Sequence, residues 1–253
     1  MDYVSVTLAR TAYVYNGSPK RPQITVTDQG RSLTAGTDYA VSYQNDTNAG
    51  TASAIVTGRG NYTGTLSVPY TIEKADQEVL VPKTLYQVDL GTKRISLRAV
   101  SSGDGALSYR SGRPSTASVS AAGVVTIKAA GTAVITITAA ETANYFGAEE
   151  DVIVMVTPKK AKIKSAKSTK TKQMKITWKK DASASGYQIL MATDRKFKKN
   201  KKVVNVNKKK ATSTTVKKLK AKSFYYIKMR TYTTVNGNKV YGPYSNMVKK
   251  KTK

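Results

Sequence analysis

The chain has no cysteine and no histidine among its 253 residues. Without cysteine there are no disulfides and no thiolate metal sites. Without histidine the usual general base and the commonest metal ligand are missing. Ser-His-Asp and Cys-His catalytic arrangements are therefore excluded. No apolar run approaches the ~20 residues of a membrane-spanning helix. The opening MDYVSVTLARTAYVYNG lacks the charged start and apolar middle of a secretion signal. We read the chain as a fragment of a longer protein, or as a mature form behind an added start Met.

What is present is β-forming sequence and an uneven charge. At 40% hydrophobic residues the chain can bury a core, and at about 100 residues per small β domain its length suggests two or three domains. Residues 1–157 hold 13 Lys+Arg and 13 Asp+Glu, whereas 158–253 hold 30 Lys+Arg against Asp181 and Asp194 alone. The whole net charge of +28 thus lies beyond residue 157, and the change at Pro158 marks a domain boundary.

Helical periodicity is almost absent. Segments such as QITVTD, SAIVTG, AVITITA, DVIVMVT, MKITWK and YYIKMR alternate apolar and polar residues, and turn residues bound them. Short strands at this spacing predict all-β sandwiches. YTIEKADQEV (70–79) and VMVTPKKAKI (154–163) each close one unit and open another without a Gly/Ser-rich linker. The expected domains are 1–74, 75–157 and 158–253, arranged as three tandem sandwiches in an elongated row.

Alternation also sorts the basic residues. In MKITWK, Met174, Ile176 and Trp178 share one strand face, and in YYIKMRTY, Tyr225, Ile227 and Met229 do so. The opposite face of the latter carries Tyr226, Lys228, Arg230 and Tyr232, a row able to stack on a glycan or base and to pair with phosphate. The plainer reading is a solvated strand face with cross-strand tyrosine packing. The stretch DRKFKKNKKVVNVNKKK (194–210) reads as loop, strand and turn, with Phe197 tucked in. Its basic loops contribute Lys198, Lys199, Lys201 and Lys202, then Lys208, Lys209 and Lys210. The apolar anchors of VVNVN argue against a disordered tail.

Other motifs point to structure more than to chemistry. GRGNYTG (58–64) is followed by no helix, so it reads as a tight hairpin and not as a phosphate loop. NDTNAG (45–50) offers Asp46 and Asn48 but too few carboxylates for calcium, and reads as a turn. Glu149 and Glu150 are strand neighbours on opposite faces, poorly placed for paired-carboxylate catalysis. We expect no catalytic residue, no metal and no cofactor.

Three resemblances accompany these readings. YNGSPKRPQITVTD through GTDYAVSYQNDTNAGT and GRGNYTGT resembles the MBG-type Ig-like repeats of bacterial surface proteins. ASVSAAGVVTIKAAGTAVITITA, with Gly123 and Gly131 at its turns, is similar to group 2 bacterial Ig-like domains. Trp178, Tyr187, the Leu219 to Tyr225 spacing and VYGPYSNMV resemble a fibronectin type III domain of Gram-positive extracellular proteins, though its lysine content is extreme for that family. The resemblances imply an extracellular, non-catalytic, monomeric spacer or adhesion region whose basic end meets an anionic cell-wall polymer or glycan. The alternatives are an accessory carbohydrate-binding region of a secreted glycan-degrading enzyme, and non-specific nucleic-acid binding, which a pI near 10.1 invites. A specific nucleic-acid binder needs a recognition element, and none is visible.

Overall fold

The computed structural model describes residues 4–235 and 237–253. Met1, on which the reading of an added start rests, lies outside them. The described residues are all-β, with no helix among them. None, therefore, is a helix long and apolar enough to cross a membrane.

The first strands are β1 (Val4–Leu8), β2 (Ala12–Val14), β3 (Ile24–Asp28), β4 (Arg31–Ser32), β5 (Tyr39–Gln44), β6 (Gly50–Gly58) and β7 (Thr65–Glu73). They form two sheets, β1-β3-β4 and β2-β7-β6-β5. Alternation sends Ala52, Ala54 and Val56 of β6 into the core, beside Val26, Tyr39, Tyr70 and Ile72. The GRGNYTG segment is the hairpin its glycines implied: Thr57 pairs with Thr65, and the Gly58 N–H donates to the Gly64 carbonyl at 3.0 Å.

The next strands are β8 (Val79–Leu80), β9 (Leu85–Asp89), β10 (Arg94–Ser96), β11 (Val100–Ser101), β12 (Leu107–Ser111), β13 (Ala117–Val119), β14 (Val124–Ile127), β15 (Gly131–Ala139) and β16 (Ala148–Thr157). Their sheets run β11-β8, β10-β14-β13 and β12-β15-β16-β9. Gly123 turns the chain between β13 and β14 at φ +68°, where a Cβ would also meet the Tyr109 ring at 2.8 Å. Glu149 and Asp151 are exposed while Glu150, between them, is half-buried, so the acidic run alternates as expected of a strand.

The last strands are β17 (Ile163–Lys167), β18 (Met174–Trp178), β19 (Gly186–Ala192), β20 (Lys202–Val206), β21 (Ser213–Val216), β22 (Phe224–Val235), β23 (Asn238–Tyr241) and β24 (Val248–Lys251). One sheet is β17-β18-β21 and the other β20-β19-β22-β23, with β24 also on β22. Their inward residues, including Met174, Ile176, Trp178, Tyr187, Ile189, Ile227 and Met229, make one core in which Trp178 and Tyr187 lie 5.1 Å apart.

Packing gathers the chain into two compact units. The first is Met1–Leu80 with Val100–Ser108 and Thr138–Glu150. Within it the 45–50 turn docks on the 138–150 segment. Asn144 Oδ1 accepts the Ala49 N–H at 2.9 Å, and the rings of Tyr15 and Tyr145 meet edge to face at 5.4 Å. Buried Gln77 donates to the carbonyls of Ala140 and Phe146 and accepts from Ser101 Oγ and the Gly105 N–H. The second unit is Val81–Ala99, Tyr109–Ile137 and Asp151–Lys253, and it holds the basic region.

Candidate polyanion-binding face

β22 is the central strand of its sheet, and its burial alternates. Tyr225, Ile227 and Met229 are buried, while Tyr226, Lys228 and Arg230 are half-exposed on the other face. On that face β19 places Gln188 beside Arg230 and Leu190 beside Lys228, and β24 places Lys249 beside Tyr226.

Tyr232 departs from the expected exposed row. It is only 3% exposed. Its cross-strand neighbour is Gly186, which has no side chain, so the ring settles over that gap. Its hydroxyl reaches Asn207 Oδ1 at 2.7 Å, and a Cβ on Gly186 would lie 2.4 Å from the Tyr232 hydroxyl oxygen. Tyr232 is therefore a cover on the strand and offers no open stacking face.

Cations and rings interleave on the rest of the face. Lys228 Nζ stands 4.4 Å from the Phe197 ring centroid and 4.3 Å from that of Tyr244. Arg230 Cζ stands 3.8 Å from Tyr241 and 4.7 Å from Tyr244. Lys249 Nζ lies 4.5 Å from Phe224 and 5.4 Å from Tyr226, and Lys239 Nζ covers Tyr232 at 4.6 Å. Each such contact is worth about 0.5–1 kcal/mol at an exposed site. Strand alternation located Tyr226, Lys228 and Arg230. It could not locate Phe197, Tyr241 or Tyr244, which come from a loop, another strand and the segment beyond it. The nearest signal was the VYGPYSNMV string itself. The arrangement lets the rings hold the cations in place, while the cations lie over the rings that a sugar or base would need for stacking.

The basic loops are built differently. Asp194 caps the 194–199 loop by accepting the backbone N–H groups of Lys196, Lys198 and Lys199. These donors hold its carboxyl below the usual carboxylate range, against the opposing effect of burial. The cap brings Phe197 round at φ +57°, and Lys228 lies over its ring. Lys198, Lys199 and Lys201 are exposed. Lys202 instead turns inward, where its Nζ donates to the carbonyls of Lys217 at 3.0 Å and Lys218 at 2.6 Å. Lys201 and Lys202 share a hollow of about 630 Å³ with Lys172, Lys218 and Lys220. Lys208, Lys209 and Lys210 form an exposed turn after β20 and do not line that hollow.

The region's carboxylates do not neutralise it. Among the described residues the ion pairs are Arg21 with Asp46 and Lys74 with Glu141, both in the first unit. Asp181 accepts the Ser183 N–H and hydroxyl at 2.9 and 2.6 Å, and Asp194 is occupied by backbone amides. In the 45–50 turn, the side-chain hydrogen bond from Arg21 at 2.8 Å holds the Asp46 carboxyl below its ordinary range. No cluster of three or more metal-ligating side chains occurs among the described residues.

Comparison with known proteins gives a partial match. Residues 95–141 match the family model of the intimin immunoglobulin-like domain. No curated protein matches the chain. Among solved structures, a crystal structure of titin domains is 15% identical and is matched over 98% of each chain, with a TM-score of 0.39. The FN1–FN3 domains of chicken CNTN1 are 12% identical over 95% of this chain and 99% of that one, with a TM-score of 0.33. Domains 1–6 of the surface layer protein SbsC are 14% identical over 96% of this chain and 40% of that one, also at 0.33. At these scores the all-β fold rests on the strand pairing itself.

Proposed function

We propose that the chain is a non-catalytic stretch of a bacterial surface or secreted protein, a monomer made of three β-sandwich domains. Residues 1–74 and 75–157 act as spacer and adhesion modules, and 158–253 is a basic fibronectin type III-like domain that holds to anionic envelope polymers. The match of residues 95–141 to an intimin Ig-like model supports the surface setting. The MBG-type and group 2 assignments rest on the sequence motifs.

One observation carries the reading. The region after Pro158 has 30 basic side chains and two carboxylates, and no ion pair among the described residues falls within it. Charge of that density needs screening by salt or an anionic partner. Because Lys228, Arg230 and Lys249 lie over their neighbouring rings, the face acts by charge more than by stacking. This favours a polyanion over a neutral glycan, and so disfavours the accessory carbohydrate-binding reading.

The test is co-sedimentation of the full chain with Gram-positive cell walls, before and after extraction of wall phosphopolymers, at rising salt. Binding that falls with salt and with extraction supports the proposal. Absent or salt-insensitive binding overturns it, and tight sequence-preferring DNA binding at physiological salt would put nucleic acid in its place.

A further inference from the structure

The second unit contains a cleft whose lining includes none of the side chains of the aromatic face. Its volume is about 550 Å³. Lys128, Lys159, Lys160, Lys162, Lys179 and Lys180 line it, and Asp181 is the only carboxylate among the lining residues. Leu90, Ile127 and Ala161 are the larger apolar part of its lining.

Backbone bonds force this density of like charge. The Lys179 N–H donates to the Lys162 carbonyl at 3.0 Å, where β17 and β18 begin to pair. Thr231 Oγ1 donates to the Lys159 carbonyl at 2.7 Å, pinning the entering segment across β22. Gly242 permits that crossing: a Cβ there would meet the Pro158 carbonyl oxygen at 2.5 Å and Thr231 Oγ1 at 2.7 Å. Lys160 Nζ is steadied by Asn246 Oδ1 at 3.0 Å. Asp181 accepts both donors of Ser183 and makes no ion pair. The lysines thus meet in a cleft without a carboxylate partner among the described residues.

The lining chemistry narrows the ligand. The Ser183 and Thr231 hydroxyls donate to protein acceptors, so recognition falls to ammonium groups. No arginine fork lines the cleft to read a planar carboxylate in two-point fashion. Ammonium point charges suit a tetrahedral group with oxygens on every side. A single phosphate would fill only part of the space. We propose that this cleft seats a segment of a phosphate-bearing polymer among its lysines. The inference rests on the polyanion reading above and names the place and the class of ligand.

Inorganic polyphosphate is the probe, titrated into the full chain at near-physiological salt, with polyglutamate of similar length as the carboxylate comparison. One variant carries Lys159→Gln, Lys179→Gln and Lys180→Gln. A control with the same loss of charge carries Lys164→Gln and Lys167→Gln on β17 and Lys175→Gln on β18. At about fivefold per lysine, the cleft variant is expected to bind polyphosphate roughly 100-fold more weakly, and the control far less so. The slope of log K against log salt should shrink by about 2–3 in the cleft variant alone. Thermal melts check the fold of both variants, whose substituted positions are all exposed. Equal losses in both variants overturn the cleft while leaving polyanion binding standing, and polyglutamate binding as tightly as polyphosphate overturns the phosphate class. No polyphosphate binding by the unaltered chain overturns both the cleft and the function it deepens.

Discussion

The Tyr225 hydroxyl accepts the backbone N–H of Lys220 at 3.0 Å, closing a corner between Leu219 and β22. Tyr225 is 2% exposed and Leu219 3%, so the corner bond stands at the edge of the core. Tyr225→Phe keeps the ring and leaves the Lys220 amide without this partner. The expected loss is about 1–3 kcal/mol, read from urea midpoints with an unchanged slope. A change within error would mean that water replaces the bond.

Trp178 makes the opposite case. Its indole Nε1 is buried without a hydrogen-bond partner, so the side chain contributes through volume and ring packing on Tyr187. Trp178→Ala should cost about 3–5 kcal/mol. Trp178→Phe should cost much less, because it keeps a ring and removes an unsatisfied donor. Equilibrium denaturation of both variants checks the ordering.

Gly186 and Gly242 are close-approach positions. Alanine at 186 would press on the Val206 carbonyl oxygen at 2.5 Å, and alanine at 242 on that of Pro158 at the same distance. Backbone gives way less easily than side chain, so each substitution should cost about 1–3 kcal/mol. Gly237→Ala has open space around its Cβ but a φ of +79°, and serves as the comparison for strain without a clash. Thermal unfolding should place Gly186→Ala and Gly242→Ala below it.

Tyr70 gives the first unit an alkaline limit. Burial, aided by the nearby Asp46 charge, pushes its phenol up to about 12 from an ordinary 10.0. The unfolded chain therefore ionises first. The contribution to stability is complete below about 10 and is lost as the pH rises toward about 12. Tyr70→Phe should flatten that part of the pH–stability curve relative to the parent, which calorimetric scans across the alkaline range can detect.

Charge and ring can be separated on the β22 face. Lys228→Gln with Arg230→Gln should weaken polyphosphate binding. Tyr244→Ala, which removes a ring shared by both cations, should leave binding nearly unchanged and lower stability by about 0.5–1 kcal/mol per lost contact. Loss of binding in Tyr244→Ala equal to that in the double variant would restore stacking as the mode of recognition.

Period-two alternation made the fold legible, because a strand with one buried face writes its orientation into residue order. Met174, Ile176 and Trp178 face the core for this reason, and so do Tyr225, Ile227 and Met229. Tyr232 escaped the pattern because its burial comes from a glycine on the neighbouring strand. Lys202 escaped because two loop carbonyls draw its ammonium inward. The cleft was illegible because it joins Lys128 to lysines from 159 to 180, and no local pattern records that proximity. Nor did any local pattern record that the 138–150 segment meets the first residues, through Asn144 on the Ala49 N–H and Tyr145 on the Tyr15 ring.

The capping of Asp194 has a physiological consequence. Backbone amides hold its carboxyl below the usual carboxylate range, and the chain has no histidine whose ordinary pKa lies near neutrality. Its attraction for a polyanion should therefore be indifferent to acidification across the mildly acidic to neutral range. The environmental variable it does register is ionic strength, so dilution would tighten its hold and brine would loosen it.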